Sequence, residues 1–561
     1  MSQIIARSYP HEIAHHLASC GIPQVLARVY AARGITDQTQ LDTGLQRLLP
    51  PQQLKNSEII ASLLADAIAA GKRIMVIADY DADGATACAV AMRGLSAFGA
   101  RVDFIVPNRF VYGYGLTPEI VRLAASSHPD ILLTVDNGIA SVEGVREAHR
   151  LGMQVLVTDH HLPAETLPEA ECIVNPNQPG CSFPSKHLAG VGVMFYVLLA
   201  LRAELRQRGA FAHDASPNLA KLLDLVALGT VADVVKLDDN NRILVQQGLL
   251  RIRAGDCCAG LRALLQIARK RPERTTAYEL GFVLGPRLNA AGRLEDMSLG
   301  IRCLLTDDED EAAALAAQLD DLNRERRAIE ADMQDSALAA LETVNPAARH
   351  ALVLFDPTWH QGVIGILASR LKDRFHRPVI AFARAENGEI KGSGRSIPGF
   401  HLRDALDLVA KRHAGLILKF GGHAMAAGLT LTENGLEPFR AAFETVAREW
   451  LGAEALVHTL LTDGELGAQD FSLELAQAIQ QQVWGQGFAE PLFESSFEVL
   501  EQRVVGEKHL KLRLTCNGMQ LDAMHFFSTE PWPASARAVF SLDVNEYNGR
   551  QTLQLLVRHR T

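Results

Sequence analysis

Residues 74–84 read Ile74-Met75-Val76-Ile77-Ala78-Asp79-Tyr80-Asp81-Ala82-Asp83-Gly84, an apolar run that stops at three alternating carboxylates and a glycine. Three further stretches repeat the arrangement: Ile131-Leu-Leu-Thr-Val135 before Asp136-Asn-Gly138, Val155-Leu-Val-Thr158 before Asp159-His160-His161, and Leu228-Gly-Thr-Val-Ala232 before Asp233. Short β-branched runs that end in turn residues, with helical segments between them, predict parallel strands of a doubly wound α/β sheet. Ligands of such sheets gather outside the carboxyl ends of the strands, where all four clusters fall.

Four or more carboxylates with imidazole in one crevice repel one another unless cations neutralise them. Oxygen ligands with a histidine admixture suit two divalent cations, Mn²⁺ or Mg²⁺, rather than a thiolate zinc site. Asp79-x-Asp81-x-Asp83-Gly84 also opens like a calcium loop, but position twelve of that loop is Val90 rather than glutamate, and a strand precedes it. Alternate residues of an extended segment point the same way, so Asp79, Asp81 and Asp83 can all serve as ligands. Asp136 can bridge two cations, His160 supplies a nitrogen, and Asp233 closes the shell. His161 is left to donate to charge developing on a phosphate, and Asp159 orients an imidazole. Asp136, His160 and His161 are therefore the expected catalytic residues.

Positive and glycine-rich segments stand where a phosphodiester needs them. Asn108-Arg109 follows the strand expected over 102–106. Arg287-Leu-Asn289-Ala-Ala-Gly-Arg293 offers two guanidiniums and an amide around what reads as a tight glycine turn. Gly392-Ser393-Gly394-Arg395 and Gly421-Gly422-His423 read as loops whose backbone N–H groups can approach an anion.

The 561-residue chain is too long for one core and predicts several domains. Its net charge of −10 argues against nucleic acid only at face value, because carboxylates at a metal site are cancelled by cations. The eight cysteines contain no Cys-x-x-Cys pair, so neither a disulfide framework nor a zinc ribbon is expected, and a reducing cytoplasm is. The apolar stretch 188–201 is too short to span a bilayer and predicts a buried helix. No membrane association is expected. Residues 307–344 predict one long helix of roughly 50 Å at 1.5 Å per residue, started by the capping-box spacing Thr306-x-x-Glu309. Ala351-Leu-Val-Leu-Phe355 and Pro378-Val-Ile-Ala-Phe-Ala383 predict a second α/β domain. The last hundred residues, with Glu546-Tyr-Asn548-Gly549-Arg as a hairpin, predict a small, partly open β-barrel. There Lys511 and Arg513 share a strand face, and Phe526, Phe527 and Tyr547 could stack on bases. At least one of Phe526 and Phe527 is expected in the core.

The motifs Asp79–Gly84, Val135-Asp-Asn-Gly138, Asp159-His-His161 and Ala232-Asp233 resemble those of the DHH phosphoesterase superfamily, and Gly421–Gly428 resembles its DHHA1 substrate-binding domain. Pro107-Asn-Arg-Phe, Val174-Asn-Pro-Asn-Gln-Pro, Leu188-Ala-Gly-Val-Gly-Val, Gly285–Arg293 and Lys391–Ser396 are similar, in order, to the RecJ family of single-strand-specific 5′→3′ exonucleases. The resemblance implies a helical N-terminal segment (1–50), a DHH catalytic domain (51–305), a connecting helix (306–345), a DHHA1 domain (346–452) and an oligonucleotide-binding (OB-like) barrel (453–561). It implies that Asp81, Asp83, Asp136, His160 and Asp233 hold metal and that His161 contacts the scissile phosphate. Arg109, Ser393 and Arg395 then form the pocket for the 5′ end, Arg287, Asn289 and Arg293 hold the strand near the cut, and Gly422 and His423 bind substrate. Many members place a histidine four residues before the second aspartate of the first motif; Ile77 stands there, so the ligand set of one cation stays open, with Asp79 as a candidate. The expected product is 5′-mononucleotides, and the expected setting is DNA recombination and repair. The expected partners of a monomer are single-stranded DNA, a single-strand-binding protein and a helicase. The rival functions are a short-oligonucleotide or cyclic-dinucleotide phosphodiesterase and a non-catalytic replication-fork scaffold. The first would need no lead-in, long helix or barrel, and the second would have lost carboxylates that are present here.

Overall fold

The computed structural model describes residues 3–108, 112, 115–211, 216–342, 345–385 and 388–561. Arg109, expected at the 5′ end, lies outside the described residues. The chain divides into two compact units, residues 6–320 with 461–561, and residues 1–5 with 321–460.

The first unit is built on five parallel strands: β1 (Arg73–Ala78), β2 (Arg101–Ile105), β3 (Ile131–Val135), β4 (Gln154–Thr158) and β5 (Cys172–Val174), in the order β2-β1-β3-β4-β5. Every residue of β3 is buried, as a strand covered on both faces requires. The order reverses between β1 and β3, so the segments after these two neighbours flank the switch point where ligands of such sheets bind.

Helix α1 (Ala82–Ala97) follows β1, and α2 (Gly190–Gln207) realises the buried helix expected around 188–201. One expected strand is a helix instead: Leu228–Ala232 lies in α3 (Leu223–Ala232), and Asp233 is its C-cap residue. Eight of its ten residues are buried, Leu223–Thr230. An apolar run buried on every side carries no periodicity to separate helix from strand. The glycine turn expected at 287–293 is also helical. A wide π-turn over Glu279–Leu284 runs into α4 (Gly285–Leu294), and Gly292 is there because Tyr80 O lies 1.9 Å from where its Cβ would be.

Helix α5 (Glu309–Glu342) matches the expected length, but the cap sits two residues along. Asp308 Oδ1, not Thr306, takes the N–H of Glu311 at 2.8 Å. Beyond it, β6 (Leu352–Phe355), α6 (Ile364–Phe375), β7 (Val379–Arg384), β8 (Glu389–Arg395), β9 (Lys419–Gly422) and β10 (Ala426–Thr432) form the second α/β unit, with strand order β9-β10-β8-β7-β6. Only β6 and β7 run parallel.

The C-terminal strands β11 (Phe493–Val505), β12 (His509–Cys516), β13 (Met519–His525), β14 (Ser535–Tyr547) and β15 (Arg550–Arg560) close completely, rather than partly, into a barrel. Asn548 and Gly549 turn the expected hairpin with φ of 50° and 76°. Neither Phe526 nor Phe527 is core: they are 45 % and 85 % exposed, and each meets the His509 ring edge to face with centroids 5.1 Å apart. Among the described residues no helix is long and apolar enough to cross a membrane, and all eight cysteines are free thiols.

Candidate metal centre

The first motif turns a corner instead of continuing as a strand. Asp81 caps α1, its side chain accepting from the N–H of Gly84 at 3.0 Å, and Asp83 lies in the first helical turn, where the helix dipole favours negative charge. The three aspartates therefore do not share one face, as an extended segment would have placed them. Asp79 and Asp81 gather with Asp136, whereas Asp83 gathers with His160 and Asp233; within each group one potential ligand atom per residue lies within 4.8 Å of the others. Asp79 thus stands among the potential ligand atoms, two residues beyond Ile77.

Asp136 stands between the groups. Its Oδ1 is 3.1 Å from Nε2 of His160, which is 3.5 Å from Asp233 and 3.9 Å from Asp83. The backbone of Asp136 is left-handed, with φ of 63°. It is held there by its N–H to Thr158 O at 3.0 Å and by the Asn137 amide, which donates to Ile77 O and Val135 O. Gly190 leaves room for the carboxylate: a Cβ there would meet Asp136 Oδ1 at 2.5 Å. The backbone N–H groups of Gly190 and Val191 donate to the two oxygens of Asp83 at 2.7 and 2.9 Å.

Burial and mutual repulsion hold the carboxyls of Asp136 and Asp233 well above the usual range, and push Asp83 up to about 7. Such a cluster wants positive charge. Asp136 Oδ1 is buried and accepts no hydrogen bond among the described residues, although His160 Nε2 faces it. Neighbouring ligands of an octahedral ion with bonds near 2.1 Å lie about 3 Å apart, which is the spacing of these two atoms. The oxygen-rich donor set fits Mn²⁺ or Mg²⁺.

Asp159, fully buried, acts behind this layer. Its Oδ1 accepts from His160 N (2.7 Å), His161 N (3.1 Å) and His161 Nδ1 (2.7 Å), while Oδ2 accepts from Ile139 N. Burial alone would raise its pKa, but the His161 hydrogen bond and charge win and lower it. For His161 burial pulls downward, and the Asp159 bond and charge push the imidazole up to about 9. Asn175 and Asn177 fix the histidine backbone, donating to the carbonyls of His161 and His160 at 2.9 and 2.6 Å. Sequence reasoning gave these asparagines, Asn137 and Gly190 no role, although all four lie in motifs it had singled out.

The expected strand-holding residues separate in function. Asn289 Oδ1 accepts from Ala82 N at 2.8 Å and so pins α4 to the turn that carries the aspartates. Arg287 is buried, giving two guanidinium donors to Asp320 Oδ1 on α5 (2.9 and 2.8 Å) and one to Val283 O. Arg293, on the same helix, is half-buried.

In the second unit the expected phosphate loop 392–395 is the central strand β8, paired on both sides, so its amides serve the ladder rather than an anion. Gly392 and Gly394 admit the side chains of Phe382 and Leu429, and of Leu402 and Ile380, where their own Cβ atoms would be. Arg395 donates to Ser393 Oγ (3.2 Å) and Gly394 O, and burial lowers its pKa. A Cβ on Gly365, in the first turn of α6, would touch both Ser393 Oγ and the Arg395 guanidinium. A cation, a hydroxyl and a helix N-terminus therefore converge. Gly422 (φ 139°) and the exposed His423 form the tip of the β9–β10 hairpin, His423 N donating to Ala426 O at 2.7 Å.

Comparison with known proteins agrees with this geometry. The DHH family N-terminal domain matches residues 73–230, the DHHA1 domain 349–449 and the RecJ OB domain 462–559. The single-stranded-DNA-specific exonuclease RecJ of Dickeya dadantii is 51 % identical over 552 residues, covering 96 % of each chain. Among solved structures, RecJ of Thermus thermophilus in complex with Mn²⁺ matches with a TM-score of 0.84 and 32 % identity over all of this chain and 79 % of that one. The same enzyme with Mg²⁺ matches at 0.77 and 31 %, over all of this chain and 78 % of its own. With half its residues shared end to end and all three domain types in order, the chain belongs to the RecJ family of single-stranded-DNA-specific exonucleases.

Proposed function

We propose that the chain hydrolyses single-stranded DNA stepwise from its 5′ end, releasing 5′-mononucleotides, and that it works in DNA recombination and repair. One observation carries the reading: two groups of potential ligands, Asp79/Asp81/Asp136 and Asp83/His160/Asp233, meet at Asp136 Oδ1 and His160 Nε2, 3.1 Å apart. These six residues hold two divalent cations, Mn²⁺ or Mg²⁺. When bound, the cations supply Lewis acidity toward the phosphate and lower the pKa of water at the site. His161, its Nδ1 engaged by Asp159, directs Nε2 to the scissile phosphate and donates to the charge that develops there. Asp136, His160 and His161 are thus the residues on which turnover depends.

Ser393 and Arg395, with Arg109, recognise the terminal 5′-phosphate; the convergence of hydroxyl, guanidinium and helix N-terminus around Gly365 supports this. Arg293 contacts the strand, with Arg287 and Asn289 acting through the position of α4. Gly422 and His423 give a further substrate contact in the second unit. The five segments 1–50, 51–305, 306–345, 346–452 and 453–561 serve as lead-in, catalytic domain, connector, substrate domain and nucleic-acid-binding barrel. A cytoplasmic monomer acting beside a single-strand-binding protein and a helicase completes the proposal, the free cysteines suiting a reducing compartment. The test uses strands labelled at either end, with each terminus blocked in turn, in Mn²⁺ or Mg²⁺ and in a chelator. Mononucleotides released only from an open 5′ end, and only with metal, are expected. Cleavage that ignores a 5′ block overturns the polarity.

A further inference from the structure

Asn241 is completely buried in the first turn of the helix Asp239–Arg253, and its amide joins two separate segments of the chain. Nδ2 donates to His187 O at 2.7 Å and to Lys236 O at 2.9 Å. Each of these carbonyls lies three residues from a group of the metal centre. Three positions after His187 stands Gly190, whose N–H donates to Asp83 and whose missing Cβ leaves room for Asp136. Three positions before Lys236 stands Asp233 itself. The same segments are tied a second time through Asp238, the N-cap of the helix. Its Oδ1 accepts from Asn241 N at 3.0 Å, and its Oδ2 accepts from the buried hydroxyl of Ser185 at 2.7 Å.

Burial alone does not favour an amide at this position. Oδ1 of Asn241 is buried and accepts no hydrogen bond among the described residues, a desolvation cost that an apolar side chain of the same size would avoid. The reverse orientation would press Oδ1 against two carbonyl oxygens, so the two donors fix the amide as it stands. Between Asp233 and Lys236 lies Val234, β-branched yet left-handed, with φ of 63°. At 62 % exposure its own packing does not hold that conformation; the chain is anchored on either side of it, by Asp233 N on Gly229 O at 2.9 Å and by Asn241 on Lys236 O. We propose that Asn241 is a positioning residue for the Asp83/His160/Asp233 half of the metal centre. One amide sets the spacing between the segment whose N–H groups hold Asp83 and the segment that carries Asp233, and it acts through those segments rather than by contact with metal or strand. The inference rests on the two-cation reading above and adds to it the device that keeps two of the proposed ligands in register.

The experiment titrates Mn²⁺ calorimetrically into the wild type and into Asn241→Leu, a change that keeps the size and removes both donors. One of the two Mn²⁺ affinities should fall roughly 10-fold or more, the scale on which supporting groups act, while the other stays at its wild-type value. Turnover at low Mn²⁺ should fall and be restored by raising the metal, with KM for the strand unchanged. Added to Asp233→Asn, the change should cost little further affinity, because both act on the same site. Gln247→Ala removes an amide donor to Thr43 O (2.9 Å) further along the same helix and should leave both affinities intact. Should Asn241→Leu fail to fold, Ser185→Ala decides: it cuts the second tie and should weaken the same site to a smaller extent. A wild type that binds fewer than two Mn²⁺ overturns the two-cation reading itself. With two sites present in the wild type, unchanged affinities in the deciding variant, or an equal fall in both, overturn the positioning role alone.

Discussion

Oδ1 of Asp159 lies 2.7 Å from Nδ1 of His161, and the same oxygen takes the backbone N–H groups of both histidines. One buried carboxylate thus sets the orientation and the charge of the imidazole proposed to meet the phosphate. The neighbouring His160 ring packs edge-on at 4.6 Å, with its Nε2 3.1 Å from Asp136 Oδ1. Adjacent histidines of identical chemistry thereby have different nearest carboxylates, Asp136 for His160 and Asp159 for His161.

Removing that charge should move a pH limb. Asp159 holds His161 protonated up to about 9, so the donating form is present below that pH and is lost as pH rises through it. Asp159→Asn keeps a hydrogen-bonding group but not the charge, so the alkaline limb of kcat should shift to lower pH. A profile of kcat against pH with saturating Mn²⁺ measures this; an unmoved limb would mean that another group sets it.

Asp136→Ala should abolish cleavage while leaving single-strand binding largely intact. The loss should span several decades in rate, each about 1.4 kcal/mol of barrier. His161→Ala should differ in kind, keeping metal affinity while turnover falls by a factor on the order of 10²–10³. Mononucleotide release measured beside Mn²⁺ titration separates the two variants. An Asp136→Ala protein that folds and retains more than about a tenth of wild-type turnover would falsify the shared-ligand role, since less than one decade of barrier would then be lost.

A methyl group should poison the site from behind. Gly190→Ala places a Cβ 2.5 Å from Asp136 Oδ1, and the carboxylate must move out of line with His160. Mn²⁺ affinity, read by calorimetric titration, should drop at least roughly tenfold, the scale on which disturbed supporting groups act. Unaltered affinity would mean that Asp136 can shift without leaving the metal.

End recognition should be separable from chemistry. Arg395→Ala should reduce the preference for a 5′-phosphate over a 5′-hydroxyl end by roughly 10-fold or more, the loss of one charge-assisted hydrogen bond of about 1.5–3 kcal/mol. Rates on the two ends, compared at limiting substrate, give the answer. A preference equal to wild type would assign the terminal phosphate to other residues.

The parallel sheet, the long helix and the gathering of carboxylates with histidines were legible in the sequence because each is written locally, as a period of hydrophobicity or as an acidic cluster at a strand end. Asp233 does lie beside Asp83 and His160, but the expected reason is partly wrong: its apolar run is a buried helix rather than a strand. The split of Asp79 and Asp81 from Asp83 was not legible, because it depends on the helix starting at residue 82 and on amides brought from Gly190 and Val191, over a hundred positions away. Gly392 and Gly394 misled in the same way: glycines that admit neighbours' side chains inside a sheet look, in one dimension, like glycines of a phosphate loop.

The left-handed backbone at Asp136 restricts which substitutions can report on the chemistry at all. Only glycine, asparagine and aspartate enter that conformation at little cost, and of the three only aspartate carries a charge. Shape and charge demands therefore select the same side chain, and most replacements confound the two by adding about 1–2 kcal/mol of backbone strain to the lost ligand. Asparagine keeps the fold of the turn and removes the charge; glycine keeps the turn and removes the whole side chain. The pair forms a two-step titration of position 136 in which structure stays constant while chemistry is taken away, and few positions in any active centre allow the two to be varied so independently.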